Sequence, residues 1–443
     1  MSDSRTLGSL ARALGLREDE VGLVVPGFAM FFLLFAGYFM LRPVRETMGI
    51  AGGVDNLQWL FTATFLATLA AVPLFGALVA RAKRRHILYW VFGFFASNLL
   101  AFAAGFLADP GNIWNARAFY VWISVFNLIA VSVAWSVLVD VVESARARRL
   151  FALMAAGASL GGLVGPLAGG LMVAAIGHAG LLAASALLLA VAAFAAGRVH
   201  AWRDANGVPI DGTARPAPRT QALGGSAFAG AKTVLRSPYL LGIAAFVTLL
   251  ASVTTFLYFE QARLIEAAFP DPTRQTQVFS AIDVAVQALA ILSQLFLTGR
   301  IATRLGVGVL LAGVPLMVAA GFVLLAFSPV FAVLAAVMIV RRAGEYAFVR
   351  PGREMLYTVV SPEDKYKAKS FNDTVVYRGA DALAGWTKSG IDALSSHPAA
   401  AMTIGALVAL AWGLNGAWLA RRYARIDSTP NPKVPLRHGR TCA

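Results

Sequence analysis

One cysteine, Cys442, stands at the extreme end of the chain. With no second thiol, an intrachain disulfide framework and a cysteine-based zinc cluster are both excluded. Charge is scarce too: 14% of the 443 residues are Asp, Glu, Lys or Arg, where soluble domains carry about 25%. No Gly-x4-Gly-Lys-Ser/Thr loop is present, so primary ATP hydrolysis is not supported. The five histidines make no His-Glu-x-x-His metal site, and Gly-x-Ser-x-Gly occurs at no predicted strand-to-helix turn. No catalytic residue, metal or cofactor is expected, and the chain does not read as an enzyme. Energy for any work then comes from exchange or from an ion gradient.

What is abundant is apolar sequence, 58% of the chain, and it is clustered. Val21–Leu41 and Ile87–Leu107 are uncharged and match the roughly 20 residues that cross about 30 Å of hydrocarbon. The first run follows a polar head with Asp3, Glu18, Asp19 and Glu20 and precedes no small-residue cleavage site, so it reads as a span and not a cleaved signal. Spans are expected near 21–46, 58–80, 87–107, 117–140, 151–175, 180–197, 238–259, 277–298, 308–327, 329–349, 371–394 and 398–420. The tenth needs an argument: Val330–Val340 holds only 11 uncharged residues and crosses only if Arg341, Arg342 and Glu345 lie in the membrane, ending at Pro351-Gly352. The eleventh carries Asp373, Arg378, Asp381 and Lys388. Trp59, Trp114, Trp122 and Trp412, near span ends, read as interfacial anchors.

The net charge of +15 would suggest nucleic acid in a soluble protein, but its placement suggests lipid. With the N-terminus inside and twelve spans, inner loops and tails hold 29 Lys or Arg and outer loops four (Arg117, Arg263, Arg274 and Lys388). That asymmetry is the positive-inside rule, and dropping one span puts Arg421, Arg422 and Arg425 on the wrong side. The expected fold is an all-α membrane protein of twelve transmembrane helices in two six-helix bundles, with both termini cytoplasmic, multi-pass in the inner membrane and monomeric. Its parts would be a head (1–20), an N-terminal bundle (21–197), a Pro- and Gly-containing inner linker (198–236), a C-terminal bundle (237–420) and a basic tail (421–443). An internal repeat supports the halves. Gly76–Leu88 reads GALVARAKRRHIL after the second span, with Arg81 and Arg85; Gly299–Gly306 reads GRIATRLG after the eighth, with Arg304. In each, Arg follows Gly by five, and the offset of the two, 223 residues, is about half the chain.

Six plus six helices, an inner linker and this repeated Gly–Arg loop resemble the major facilitator superfamily along the whole chain. In the first loop Ala80 stands where that family has an Asp that helps latch the halves. Gly161–Gly170, GGLVGPLAGG, looks like the family's fifth-helix motif, common in antiporters; Gly161, Gly165, Pro166, Gly169 and Gly170 also suit close helix packing through small residues. At the charged positions Tyr38–Glu46, YFMLRPVRE, is similar to the first-helix segment of the bacterial and plastid ATP/ADP translocases, with Arg42, Arg45 and Glu46 matching. Glu260 falls where that family has a late acid in its seventh helix, and Lys365–Asp373 followed by Arg378 resembles its run into the eleventh. Asp381 stands roughly where the family has a substrate-linked Lys, and Glu143 is about three residues out of register with its acid before the fifth helix. The resemblance implies exchange of nucleotides or related phosphate compounds.

An ionisable group at the bilayer centre costs at least roughly 2.5–3.5 kcal/mol, so each one in a span needs a partner, water or a function. Arg42 and Arg45, three apart, share a face. Either they grip a multiply charged anion through their planar forks, or they snorkel or pair with Glu46. Arg341 and Glu345, four apart, pair on one face, which leaves Arg342, beside Tyr346, as the freer cation. Asp373, Tyr377 and Asp381 recur every four residues as a polar stripe expected to line a cavity, with Arg378 in reach of Asp381. Asp283 with Gln287 reads as a cap, a packing pair or a site. Glu260 is either a solvated helix end or a site residue. Asp140 and Glu143, beside Arg146, Arg148 and Arg149, read as a latch of inner-loop charges.

The function expected is a secondary carrier of an organic anion, a nucleotide or other phosphorylated compound, working by alternating access. Two rivals stand beside it. One is a proton-coupled efflux carrier for cationic or amphipathic compounds, motivated by the fifth-helix motif, with Asp373 or Asp381 titrating. The other is a receptor or assembly factor that has lost transport.

Overall fold

The computed structural model describes residues 16–81, 84–139, 144–206, 230–395 and 398–428. The apolar runs fold as helices because a helix satisfies its own backbone polar groups inside hydrocarbon. α1 is Glu18–Ala51, α2 Leu57–Arg81, α3 Arg84–Ala108 and α4 Ile113–Val139. Ser144–Ala205 is one helical run broken at Gly177, where φ 65° and ψ 179° reverse the chain. A side chain resists that left-handed backbone and glycine does not. The limbs before and after the break are α5 and α6. α7 is Pro238–Ala268 and α9 Gly306–Phe327. α8 (Pro272–Ser293) continues through a π-turn, Gln294–Thr298, to Gly299–Arg304. α10 (Phe331–Gly344) continues through a π-turn, Glu345–Val349, to Arg350–Leu356. α11 joins Pro362–Phe371 to Tyr377–Leu394 through a third, Asn372–Val376, and α12 is Pro398–Asp427.

Among the described residues, nine helical runs are long and apolar enough to cross a membrane, with α5 and α6 counted as one. α10 and α11 lie outside that set because of the charges noted above. Three C-terminal helices start alike. Ser237, Asp271 and Ser361 each accept from a backbone N–H three residues on, and Pro occupies the first helical position after each. The cap satisfies an orphan donor, and the proline needs none.

Several edges move. α6 runs through Ala205, past the expected edge at 197, and a short helix, Ala231–Arg236, precedes α7. The expected stop at Pro351-Gly352 does not occur, since helix continues to Leu356. The π-turn before Pro351 and side chains of α8 supply the reason. The Ala347 carbonyl, which Pro351 has no N–H to meet, accepts from Thr298 Oγ1 at 2.9 Å, and the Tyr346 carbonyl accepts from Gln294 Nε2 at 3.1 Å.

Each half has its own apolar core. One, with Phe31, Phe75, Phe92, Phe119 and Phe126, belongs to α1–α6; the other, with Phe246, Phe322, Tyr357 and Trp412, belongs to α7 and α9–α12. A third cluster joins Ile50, Val54, Leu57 and Leu60 to Phe259, Ile265 and Phe279 across the halves. It lies at the end of the bundle where α1 turns at Gly53, here called the Gly53 end; the opposite end, carrying Arg304 and Arg353, is the basic end. Trp412 is fully buried and Trp122 stacks on Phe126 at 5.4 Å, so these two are core aromatics and not anchors. Trp59 and Trp114 are exposed.

The glycines of α5 explain how the halves meet. A Cβ on Gly157, Gly161 or Gly165 would sit 2.4 Å from the carbonyl oxygen of Phe28, Phe32 or Ala36 in α1, and one on Gly169 would sit 3.2 Å from that of Met40. Four glycines at a four-residue spacing thus bring α5 onto the backbone of α1. Gly162 and Gly170 point the other way, against Gln287 and Ser280 of α8 in the other half. Pro166 lies within the same run. The motif is therefore a packing device with two faces.

Candidate functional site

The intramembrane charges meet midway along the bundle, on the elements that face the other half. Arg42, from α1, extends Nε to within 3.8 Å of Asp283 Oδ2 in α8 and donates through Nη1 to the Tyr346 hydroxyl of α10 at 3.3 Å. Arg342 Nη2 lies 2.5 Å from the other oxygen of the same carboxylate. One acid thus stands between two arginines, one from each half. Asp283 is 4% exposed, and its Oδ2 has no hydrogen-bond donor.

The remaining arginines pair locally. Arg45 Nη1 is 3.0 Å from Glu46 Oε1, and its guanidinium lies 4.1 Å from the centre of the Tyr120 ring. Arg341 Nη1 reaches Glu345 Oε2 at 3.1 Å and Thr254 Oγ1 at 2.8 Å. Arg378 Nη1 stands 3.6 Å from Asp381 Oδ2, and Thr255 donates to the other Asp381 oxygen at 3.2 Å. A cavity of about 10 Å³, lined by Arg45, Phe61, Thr64, Tyr120, Arg378 and Asp381, lies between the halves; it holds about one water. A larger cavity of about 370 Å³ opens at the Gly53 end, lined in part by Asp55, Phe259, Arg263 and Asp392.

Three expectations are corrected here. Arg342 is not the free cation: it is buried against Asp283, and Arg42 is the arginine that reaches Tyr346. The stripe Asp373–Tyr377–Asp381 is broken, because the π-turn at Asn372–Val376 inserts a residue into the four-residue register. Asp373 instead pairs with Arg353 at 3.0 Å near the basic end, while Asp381 stays at the centre; Tyr377 is half-buried, its ring 5.9 Å from the Arg378 guanidinium. Lys388, counted as an outer-loop charge, is fully buried in α11 and bonds both oxygens of Asp392, at 2.7 and 2.5 Å.

Glu260 is buried near the Gly53 end, 3.7 Å from Arg263 and away from the central group. Of the repeated loop motif, Gly76 lies on α2, while Gly299 and the exposed Arg304 lie on the extension of α8. The side chains of Arg81 and Arg85 lie outside the described residues, as do those of Asp140, Glu143, Arg146, Arg148 and Arg149. Asp283 was set beside a mere cap by its sequence, and Thr254, Thr255 and Tyr120 carried no signal at all. Each becomes a site residue through a partner far away in the chain.

At the Gly53 end the halves are tied by polar contacts. Thr47 Oγ1 and Thr276 Oγ1 are 2.7 Å apart, and His178 Nε2 is 2.9 Å from the same Thr276 oxygen. Trp386 Nε1 donates to Thr62 Oγ1 at 3.1 Å, and its ring meets Trp59 edge to face at 4.8 Å.

Two helical bundles that enclose ion-paired side chains at their shared interface, closed at one end, form the architecture of a solute carrier. The profile of the Major Facilitator Superfamily matches residues 27–340, and the chain belongs to that superfamily of secondary transporters. Two solved structures share the fold. A bacterial homologue of the human lysosomal transporter Spinster, inward-facing and unoccupied, is 14% identical with a TM-score of 0.55, over 92% of this chain and 97% of that one. The human organic anion transporter MFSD10 (TETRAN) is 15% identical with a TM-score of 0.57, over 90% and 99%. No curated protein matches the chain.

Proposed function

We propose that this multi-pass membrane protein carries a small organic anion across the inner membrane by alternating access. The observation that carries the reading is Arg42: a guanidinium at the interface of the halves whose nearest carboxylate is already engaged by Arg342. A guanidinium in that place has charge and donors to spare for an anion. The positive-inside bias assigns the basic end to the cytoplasm. The Gly53 end, where the aromatic and hydroxyl contacts gather, is then the outer gate in its closed position. In the empty carrier the carboxylates hold the arginines, and cargo competes with them.

The finer reading, exchange of nucleotides, draws support from the resemblance of Tyr38–Glu46 and Lys365–Asp373 to the ATP/ADP translocases. Four of the five intramembrane arginines carry a carboxylate of their own, which favours a less charged cargo. Proton-coupled transport is the second reading, favoured by the buried Asp283 and Asp381 at the interface.

Uptake of labelled organic anions into liposomes of purified protein, with and without a proton gradient or trapped anion, tests the proposal. Uptake above that of protein-free liposomes is expected for at least one anion class. Uptake of cationic compounds alone would replace the proposal with proton-coupled efflux, and none of any compound would leave the receptor reading.

A further inference from the structure

The central charges do not balance. Among the described residues, Glu46, Glu345, Asp283 and Asp381 are taken up by Arg45, Arg341, Arg342 and Arg378. Arg350, whose guanidinium lies 5.0 Å from the centre of the Tyr346 ring, is exposed and screened by water; among the buried and half-buried side chains of the group, Arg42 is the fifth cation against four acids. Its closest carboxylate oxygen, at 3.8 Å, belongs to the Asp283 that Arg342 holds at 2.5 Å, and its hydrogen bond goes to a tyrosine hydroxyl. The group therefore keeps one positive charge in surplus, on the side chain that belongs to one half and reaches into the other.

We infer that Arg42 anchors a cargo of one net negative charge, and that this single-charge surplus sets the carrier's preference for organic monoanions over dianions and neutral analogues. The inference rests on the anion reading above and deepens it. A monoanion cancels the surplus. A dianion leaves one negative charge uncompensated where water is scarce and a unit charge is poorly screened. A neutral analogue leaves the guanidinium unmatched. The Tyr346 hydroxyl accepts from Arg42 and so has its own proton to donate, which provides a second donor beside the guanidinium for one acidic head. An aromatic face suits an apolar body behind that head: the centre of the Phe39 ring lies 5.8 Å from the Arg42 guanidinium. The indicated class is an amphipathic monocarboxylate or a similar singly charged acid.

The test uses the full chain in lipid nanodiscs and two ligand series that vary the charge on a common carbon skeleton: benzoate, phthalate and benzamide, and hexanoate, adipate and hexanamide. Calorimetric affinities are measured at a pH where all acid groups are ionised. In the unaltered protein the monoanion of at least one series should bind about tenfold or more tightly than its dianion and its amide, a conservative reading of one unscreened charge. Arg42→Gln should lose that advantage, and Arg42→Lys, which keeps the charge, should retain most of it. Asp283→Asn raises the surplus to two, so the preference should shift by about tenfold toward the dianion. Dianions binding as well as monoanions in the unaltered protein, or a preference unmoved by Asp283→Asn, overturns the single-charge inference and leaves an anion carrier standing. Failure of all four anions to bind overturns the inference, and the anion reading falls with it when the liposome assay finds no anion class carried.

Discussion

Replacing Gly161 with alanine puts the contact between α5 and α1 under the most direct stress. The added Cβ would lie 2.4 Å from the Phe32 carbonyl oxygen and 2.8 Å from the Ala36 nitrogen, both backbone atoms. No side chain can rotate to make room, so the helices must part locally by about 1 Å to regain an ordinary contact distance of 3.4 Å. Overpacking of this kind costs about 1–3 kcal/mol. Gly157 and Gly165 meet the same helix at 2.4 Å, one turn to either side, so the parting strips contacts there as well. It also relieves in advance a second alanine at Gly165. The double variant should therefore fall short of the sum of the singles by about 1 kcal/mol. Gly93, inside α3 with no atom near its would-be Cβ, is the control; alanine there should stabilise by about 0.5–1 kcal/mol through helix propensity. Reversible unfolding in mixed micelles, followed by tryptophan fluorescence, measures the four variants against the unaltered protein. Gly161→Ala as stable as Gly93→Ala, or strict additivity of the two α5 variants, would refute the backbone-contact argument.

Three further outcomes are expected. The ideal Cβ of residue 385 lies 3.7 Å from the Cβ of Gln58 across the halves, within the range for a disulfide. The pair Gln58→Cys and Gly385→Cys should oxidise to a gel-shifted, reducible species whose transport returns only on reduction; free thiols that resist mild oxidant would contradict the closed Gly53 end. Thr298→Val strips the Ala347 carbonyl of its donor beside Pro351, and unfolding should show a loss of about 1–2 kcal/mol that Thr298→Ser largely restores; equal stability of the Val and Ser variants would speak against that bond. With the basic end in the cytoplasm, a C-terminal fluorescent-protein fusion should glow while a C-terminal periplasmic-phosphatase fusion stays inactive, and the reverse pattern would invert the topology.

The sequence alone determined the solvent of this protein and the count of its halves. Hydrocarbon demands about 20 apolar residues per crossing, a requirement met locally, so Val21–Leu41 and its counterparts are readable without knowing what they touch. The pair Arg341–Glu345 was readable for the same reason, since one helical turn fixes it. The partners of the other charges depend on how each helix is rotated against the rest. Arg42 meets Tyr346 across 304 positions, and no spacing encodes that. Asp373 and Asp381 share a face in any regular helix and part because a π-turn intervenes. Lys388 looked like a loop charge because hydropathy sees a cation but not the Asp392 that holds it in the interior. Only the tertiary structure decided which guanidinium was left without a carboxylate of its own, because a charge balance between helices is a property of their contacts and not of any one segment.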